Sequence, residues 1–363
     1  MNYIGKIFRH WVDSTSPKRH FTLHIIIVTV LLVGGMIIYF VEGISTQNAL
    51  SEQMLHREQV IAVSGATSIG DFLNGSGRTL SVFAAKEAPN VSNASVLNKD
   101  MAGLLNTWSS VPIVAITYVD KGGIIKNDVN RLGAPELGVN VSDRTYFQWL
   151  QSANSGSYYV GSPIISRLGQ TKGTYIVPLA ASVFKNGEFN GTFVAVISLD
   201  SLVEKYSTPL KISDQTEVAL LNTRGDFISS SIPNLEGENY MKIIYGVNFP
   251  DKNKVLEELT KEFNGPNTEG KLDLSFPDIS SNGKIKRFLL AYSVIRVDKE
   301  KSWTVVIVTP ATDAYLFAGP FYKDQIVFFT YLVAVITLLS IAGVTSYRIQ
   351  ERRYRRDVKR GQK

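Results

Sequence analysis

Two apolar runs, residues 21–41 and 326–347, lie near opposite ends of the 363-residue chain, and neither contains Lys, Arg, Asp or Glu. A helix rises about 1.5 Å per residue, so about 20 residues cross the roughly 30 Å hydrocarbon layer of a bilayer. Each run is therefore expected to be a membrane-spanning helix. Lys6, Arg9, Lys18 and Arg19 precede the first run, and eight basic residues from Arg348 to Lys363 follow the second. Basic residues tend to stay on the cytoplasmic side, which places both termini there and residues 43–323 outside. The first run is too long for the core of a cleaved signal peptide, and Glu42-Gly43-Ile44-Ser45 offers no small-x-small cleavage signal, so a retained anchor is expected.

The formal charge of +6 is concentrated at the ends. Residues 1–20 and 348–363 together hold twelve of the 38 basic and three of the 32 acidic residues, leaving 26 basic against 29 acidic in between. The basicity is that of arms lying against anionic lipid, and no nucleic-acid partner is expected. Cysteine is absent, which excludes disulfides, thiolate nucleophiles and cysteine-based zinc sites. A secreted animal ectodomain of this length would normally use disulfides, so the bacterial inner membrane is the expected location. The Asn-x-Ser/Thr matches, such as Asn74 and Asn140, then read as chance.

Between the apolar runs the periodicity changes twice. Ile61, Ile69, Phe72, Leu73, Leu80 and Phe83 recur at helical spacing within residues 42–90, which predicts an amphipathic stalk helix. Gly75 and Gly77 each cost about 1 kcal/mol relative to alanine in a helix interior. They leave two readings open, a break or kink near Asn74 or two separate short helices. Leu50, Met54, Ile61 and Ile69 make an apolar stripe that predicts pairing of two stalks in a parallel homodimer. Gly34-Gly35 and Ala342-Gly343 would let spans approach closely.

From Val111 to Val119 a β-rich run leads to the turn signal Asp120-Lys121-Gly122-Gly123 and a return strand at Ile124-Ile125. Thr174 to Leu179, Ala181 to Phe184 and Thr192 to Leu199 are further strand candidates, the last two joined at Lys185-Asn186-Gly187. The same order recurs downstream. Glu217 to Leu221, a turn through Gly225 and Phe227 to Ser229 form a hairpin, and Arg287 to Ile295 with Trp303 to Thr309 close the unit. A duplicated α+β module with antiparallel sheets is expected, divided into residues 91–210 and 211–315. Arg224-Gly225-Asp226 falls between two strand signals and reads as turn chemistry, not as an adhesion tripeptide.

The stretch Asn140-Val141-Ser142-Asp143-Arg144-Thr145-Tyr146-Phe147, followed by Tyr158 to Pro163, Tyr175 to Ala180 and Gly191 to Asp200, resembles the double Cache (PDC-type) sensor domain. Such domains sit outside the membrane in bacterial diguanylate cyclases, histidine kinases and chemoreceptors. The resemblance implies two tandem PAS-like units on one long helix, a membrane-distal one that binds ligand and a smaller membrane-proximal one. Amino-acid-binding members pair Arg-x-Trp-Tyr with a later aspartate that receives the ligand ammonium. Here Arg144-Thr145-Tyr146-Phe147 replaces the first element and Val196 stands at the aspartate position, with Asp200 four residues on. A buried ammonium needs a compensating anion, so a carboxylate or another small polar metabolite is the expected ligand.

Arg144 is the principal candidate. It follows Ser142, a good N-cap residue, and would leave the first helical turn beside aromatic groups, where a guanidinium can hold a carboxylate bidentately. An ion pair with Asp143 or another acid is the competing reading. Tyr146, Phe147, Tyr159 and Tyr175 are candidate pocket walls and hydroxyl donors, Asp200 a candidate polar contact, and Arg167 either a lid cation or a solvated loop residue. All four histidines, His10, His20, His24 and His56, precede these segments. With no GxxxxGK[ST], GxGxxG or HExxH, no catalytic triad and no metal or cofactor site, no enzyme is expected.

The sequence thus predicts a two-pass receptor whose partners are a small ligand, membrane lipid, a second copy of itself and a signalling partner at the cytoplasmic side. The tail 348–363 is too short for an output module. That module would follow in a longer chain or act in trans as a cyclase, kinase or chemotaxis component. The rival expectation is an interaction protein whose ectodomain docks a periplasmic protein or a cell-wall component.

Overall fold

The computed structural model describes residues 17–131, 133, 135–168, 171–278, 283–297 and 300–360. Lys6 and Arg9 of the basic arm and the last three residues of the tail fall outside this set. Helix α1 (Pro17–Glu87) is a single helix of 71 residues, so neither a break near Asn74 nor a pair of short helices forms. Packing outweighs the glycine cost. A Cβ on Gly77 would lie 2.4 Å from the Tyr158 ring, and Tyr158 donates its hydroxyl proton to Asn74 Oδ1 at 3.0 Å. Asn74 in turn donates to the Arg296 carbonyl at 3.0 Å, tying this turn of the helix to the sheet beyond.

Two compact units divide the chain, residues 53–313 and the two ends, 1–52 with 314–363. In the terminal unit the apolar residues of α1 between Ile25 and Val41 and of helix α7 (Gly319–Arg360) between Ile326 and Val344 are mostly exposed. Both helices are long and apolar enough to cross a membrane. An apolar surface of this extent is stable only where lipid covers it. Inside this unit Gly35 faces Leu332, where a Cβ would lie 2.7 Å from Cδ2, and Tyr39 meets Phe329 with ring centroids 5.0 Å apart. Gly35 therefore already serves packing within the chain.

In the other unit, helix α2 (Ala94–Thr107) starts at Asn93, whose side chain accepts from the Val96 N–H. Strands β1 (Ile113–Asp120) and β2 (Ile125–Asn130) follow, then helix α3 (Thr145–Ser152) and strands β3 (Tyr158–Val160), β4 (Ile164–Ile165), β5 (Tyr175–Lys185) and β6 (Glu188–Ser198). The first sheet has the order β2-β1-β6-β5-β3, with β4 also on β5. Asn186 and Gly187 have φ of 56° and 85°, the left-handed pair that a two-residue hairpin turn requires. The strands expected at Thr174–Leu179 and Ala181–Phe184 are one strand running through Pro178. Its missing N–H falls between the residues paired with β4 and those paired with β3, and there Gly161 donates to the Pro178 carbonyl at 2.8 Å and asks no N–H of it in return.

After the short helix α4 (Leu199–Leu202), the second sheet takes the order β8-β7-β11-β10-β9. Its strands are β7 (Glu217–Asn222), β8 (Phe227–Ser230), β9 (Glu269–Pro277), β10 (Ile285–Val297) and β11 (Glu300–Pro310), with helices α5 (Tyr240–Gly246) and α6 (Lys252–Asn264) between β8 and β9. Both sheets are antiparallel with the same strand order, so the duplication expected from the hairpin signals is present. Helices α5 and α6 and strand β9 occupy the stretch between the predicted hairpin and the closing strands.

One core runs along α1. Ala62, Ala66, Ile69, Leu73, Leu80 and Ala84 repeat at steps of three, four and seven residues and are at most 2% exposed, packed against inner faces of both sheets. The stripe invoked for dimerisation is therefore largely used within the chain. Met54 is 6% and Ile69 0% exposed, Ile69 within the core shared with the sheets, while Leu50 and Ile61 are half-buried.

Candidate functional site

Side chains alternate across the first sheet. Ile116, Tyr118, Phe193, Ala195 and Ile197 face the stalk, which turns Thr117, Val119, Val194 and Val196 to the opposite side. Helix α3 and the segment bearing Ile164, Ser166, Arg167 and Leu168 cover that second face and leave two small cavities of about 30 and 40 Å³. They share Thr117, Ser166, Leu168, Ile176 and Val196, and so form two halves of one cleft. Each half has room for a few waters at most and falls far below the 300 Å³ or more of a typical ligand pocket.

Arg144, Tyr146 and Arg167 line one half. Arg144, not Ser142, is the N-cap of α3, in extended conformation and without a side-chain cap bond. The Ser142 N–H instead donates to Asn140 Oδ1 at 2.8 Å in the preceding turn. The Arg144 guanidinium reaches the covering segment and donates from Nη2 to the Ile165 carbonyl at 3.3 Å. Asp143 pairs with Arg167 at 2.7 Å, and both side chains are 54% exposed. The Arg167 hydrogen bond holds the Asp143 carboxyl below the usual carboxylate range, against a small desolvation penalty. Tyr146 is buried, and burial pushes its phenol up to about 12 despite the nearby guanidinium groups. It is a neutral hydroxyl at physiological pH. Two guanidinium groups against one carboxylate leave this half positive, suited to an anion.

The other half is acidic. Asp128 on β2 accepts from the Thr117 hydroxyl and from Asn130 Nδ2, both at 3.0 Å, and from the Glu136 N–H at 3.1 Å. Asp128 and Glu136 both line this half. Neither was singled out from the sequence, since only the register of β2 on β1, with Thr117 opposite Asp128, brings that carboxylate to the cleft.

Four of the residues singled out do not line the cleft. Phe147 is 1% exposed and packs edge-on against Phe189, because one helical step turns it away from Tyr146 into the core. Tyr159 packs on Trp149 with ring centroids 5.3 Å apart. Tyr175 is 41% exposed, on the face of β5 opposite the cleft-lining Ile176. Asp200 is exposed in the first turn of α4, beyond the end of β6, so it cannot replace the carboxylate missing at Val196. Val196 itself lines both halves of the cleft. Among the described residues no group of three or more His, Asp or Glu could hold a metal ion.

Comparison with known proteins agrees with this architecture. The Cache domain family dCache_1 matches residues 45–316. Among solved structures, the ligand-binding domain of the Pseudomonas fluorescens chemoreceptor CtaA, in complex with L-isoleucine, is 14% identical with a TM-score of 0.53, covering 75% of this chain and 98% of that one. The ligand-binding domain of the Pseudomonas aeruginosa PAO1 amino acid chemoreceptor PctB, in complex with L-Gln, is 13% identical with a TM-score of 0.52, covering 76% and 97%. A methyl-accepting chemotaxis protein X is 18% identical with a TM-score of 0.51, covering 71% and 97%. No curated protein matches. At these identities the solved structures establish the fold, and the family match establishes kinship. With two sheets of one topology on a single helix, flanked by two apolar helices as in two-pass membrane receptors, the chain belongs to the Cache domain family, in its double Cache form.

Proposed function

We propose that this protein is a bacterial inner-membrane signal receptor whose first sheet module binds a small carboxylate-bearing ligand. The observation that carries the reading is the cleft in which Arg144 and Arg167 stand beside the buried Tyr146 hydroxyl. A carboxylate docked there would gain charge-assisted hydrogen bonds that fix its orientation. The similar chemoreceptor domains are named with L-isoleucine and L-Gln bound. For such a zwitterion, Val196 offers no anion to the ammonium, and Asp128 in the other half of the cleft is the group able to supply one.

The cleft is too small for such a ligand as it stands, so binding requires the covering segment to move. A ligand that binds the open and closed forms unequally shifts their populations. That bias would pass through the shared core on α1 to the spans and to a cytoplasmic cyclase, kinase or chemotaxis component. Both termini are assigned to the cytoplasm from the flanking basic residues, and a second copy of the chain is assigned to the exposed side of the stalk. Val60 and Val82 there are 56% and 71% exposed and lie about six helical turns apart on one side.

The test is a thermal-shift screen of the purified chain against acetate, propionate, L-isoleucine, L-glutamine, spermidine and adenine. A carboxylate or amino acid should raise the melting temperature, and Arg144→Ala should abolish that rise. A shift that survives Arg144→Ala removes the cleft assignment.

A further inference from the structure

A large apolar cavity lies in the second module. Between the second sheet and helices α5 and α6 is a cavity of about 400 Å³, roughly ten times either half of the first cleft. Protein interiors are normally packed like organic crystals, with few voids larger than a water. A volume of this size falls in the range of small-molecule sites.

The two ends of the cavity differ in chemistry. Its floor is the outer face of the sheet, with Leu221, Leu290 and Val306, and its roof is Tyr240, Leu259 and Phe263. Tyr240 and Phe263 meet edge-on with centroids 5.2 Å apart, and Phe276 stacks on Phe288 at 4.4 Å, so flat aromatic surface dominates the interior. Every charged lining residue sits where β7 and β10 begin and β9 ends, namely Asp214, Glu217, Asp278 and Lys286. Lys286 is taken by Asp278 at 2.6 Å. Glu217 accepts from the Ser231 hydroxyl, which leaves its charge in place. Three carboxylates against one ammonium make this end negative.

We propose that the second module carries its own binding site for a primary amine with an apolar body of aromatic size. The body would enter between the ring-lined roof and the sheet, and the ammonium would stay at the Asp214 and Glu217 end. Burying the body supplies affinity, and the carboxylates select the charge. The sheets that carry the two sites both pack by their other faces on the core along α1, so the receptor would integrate an anionic-group ligand in one module with a cationic one in the other. The proposal stands independently of the first cleft.

The test is calorimetric titration of 2-phenylethylamine into the full chain in lipid nanodiscs, with empty nanodiscs as the blank. Saturable binding is expected, at least tenfold weaker for ethylamine, which lacks the ring, and for 3-phenylpropionate, which reverses the charge. Ala219→Phe and, separately, Val308→Phe fill the cavity and should each weaken binding at least tenfold, with melting curves confirming that the variant is folded. Glu217→Gln should weaken it severalfold, whereas Arg144→Ala should leave it unchanged. No heat above the blank, equal binding of the carboxylate, or binding that persists in a folded cavity-filling variant would overturn the proposal.

Discussion

Glu58 should make this protein lose stability as pH rises. It lies on the sheet-facing side of α1, is 0% exposed, and among the described residues neither carboxylate oxygen has a hydrogen-bond partner within bonding geometry. Burial pushes its pKa from 4.5 up to about 8, with the Thr309 hydroxyl the main opposing influence. That hydroxyl already bonds Thr216 Oγ1 at 3.0 Å, so it compensates little. The folded state therefore keeps a proton that the unfolded chain releases above pH 4.5. Stability is fully present below that value, falls as pH rises, and levels off near pH 8. At about 1.4 kcal/mol per pH unit the total is on the order of 5 kcal/mol.

Denaturation of the purified chain at pH 5, 6, 7 and 8 measures the slope. Glu58→Gln keeps the shape and removes the titration, so the variant should be nearly flat across this window. At pH 8 it should melt roughly 10 °C or more above the parent. Exposed His56 is present in both proteins, so their difference isolates Glu58. A parent stability that is flat or rises from pH 5 to 8, or a slope retained in Glu58→Gln, would refute the reasoning.

Three other expectations follow from packing and pairing. Gly77→Ala brings a methyl group to 2.4 Å from the Tyr158 ring and should destabilise the folded unit by about 1–3 kcal/mol, read as a lower denaturation midpoint. Lys286→Met removes the ion pair to the Asp278 carboxylate, whose side chain is 7% exposed, and since Lys286 is itself 37% exposed the loss should be about 1 kcal/mol. Val60→Cys in this cysteine-free chain should form crosslinked dimers when intact membranes are oxidised, and a uniformly monomeric product would remove the stalk-pairing assignment.

The duplicated α+β plan was legible because its hairpins carry strong local chemistry. Asn186-Gly187 and Asn222 through Gly225 each announce a tight turn between β-rich runs. Strand β9 was not legible, since Glu269–Pro277 is a mostly half-exposed edge strand whose Gly270, Lys271 and Asp273 read as loop. The unbroken stalk was also hidden, because the contacts that offset Gly75 and Gly77 come from Tyr158 and Arg296, distant in sequence. Of the residues that line the first cleft, local signals singled out Arg144, Tyr146 and Arg167 but could not tell which aromatic side chains face it. That depends on helix phase for Phe147 and on strand alternation for Tyr175. Asp128 became visible only through pairing across a hairpin.

The central claim is that Arg144 holds a ligand carboxylate in the first cleft, and calorimetric titration of propionate and L-isoleucine into four forms of the protein tests it most directly. Parent protein should bind at least one of the two. Arg144→Lys, which keeps the charge but loses the planar fork, should bind it severalfold more weakly, and Arg144→Ala about 10- to 150-fold more weakly, as expected for a charge-assisted pair worth about 1.5–3 kcal/mol. Asp128→Asn should weaken L-isoleucine and leave propionate unchanged, because only the amino acid carries an ammonium. Equal dissociation constants for the parent, Arg144→Lys and Arg144→Ala would contradict the account.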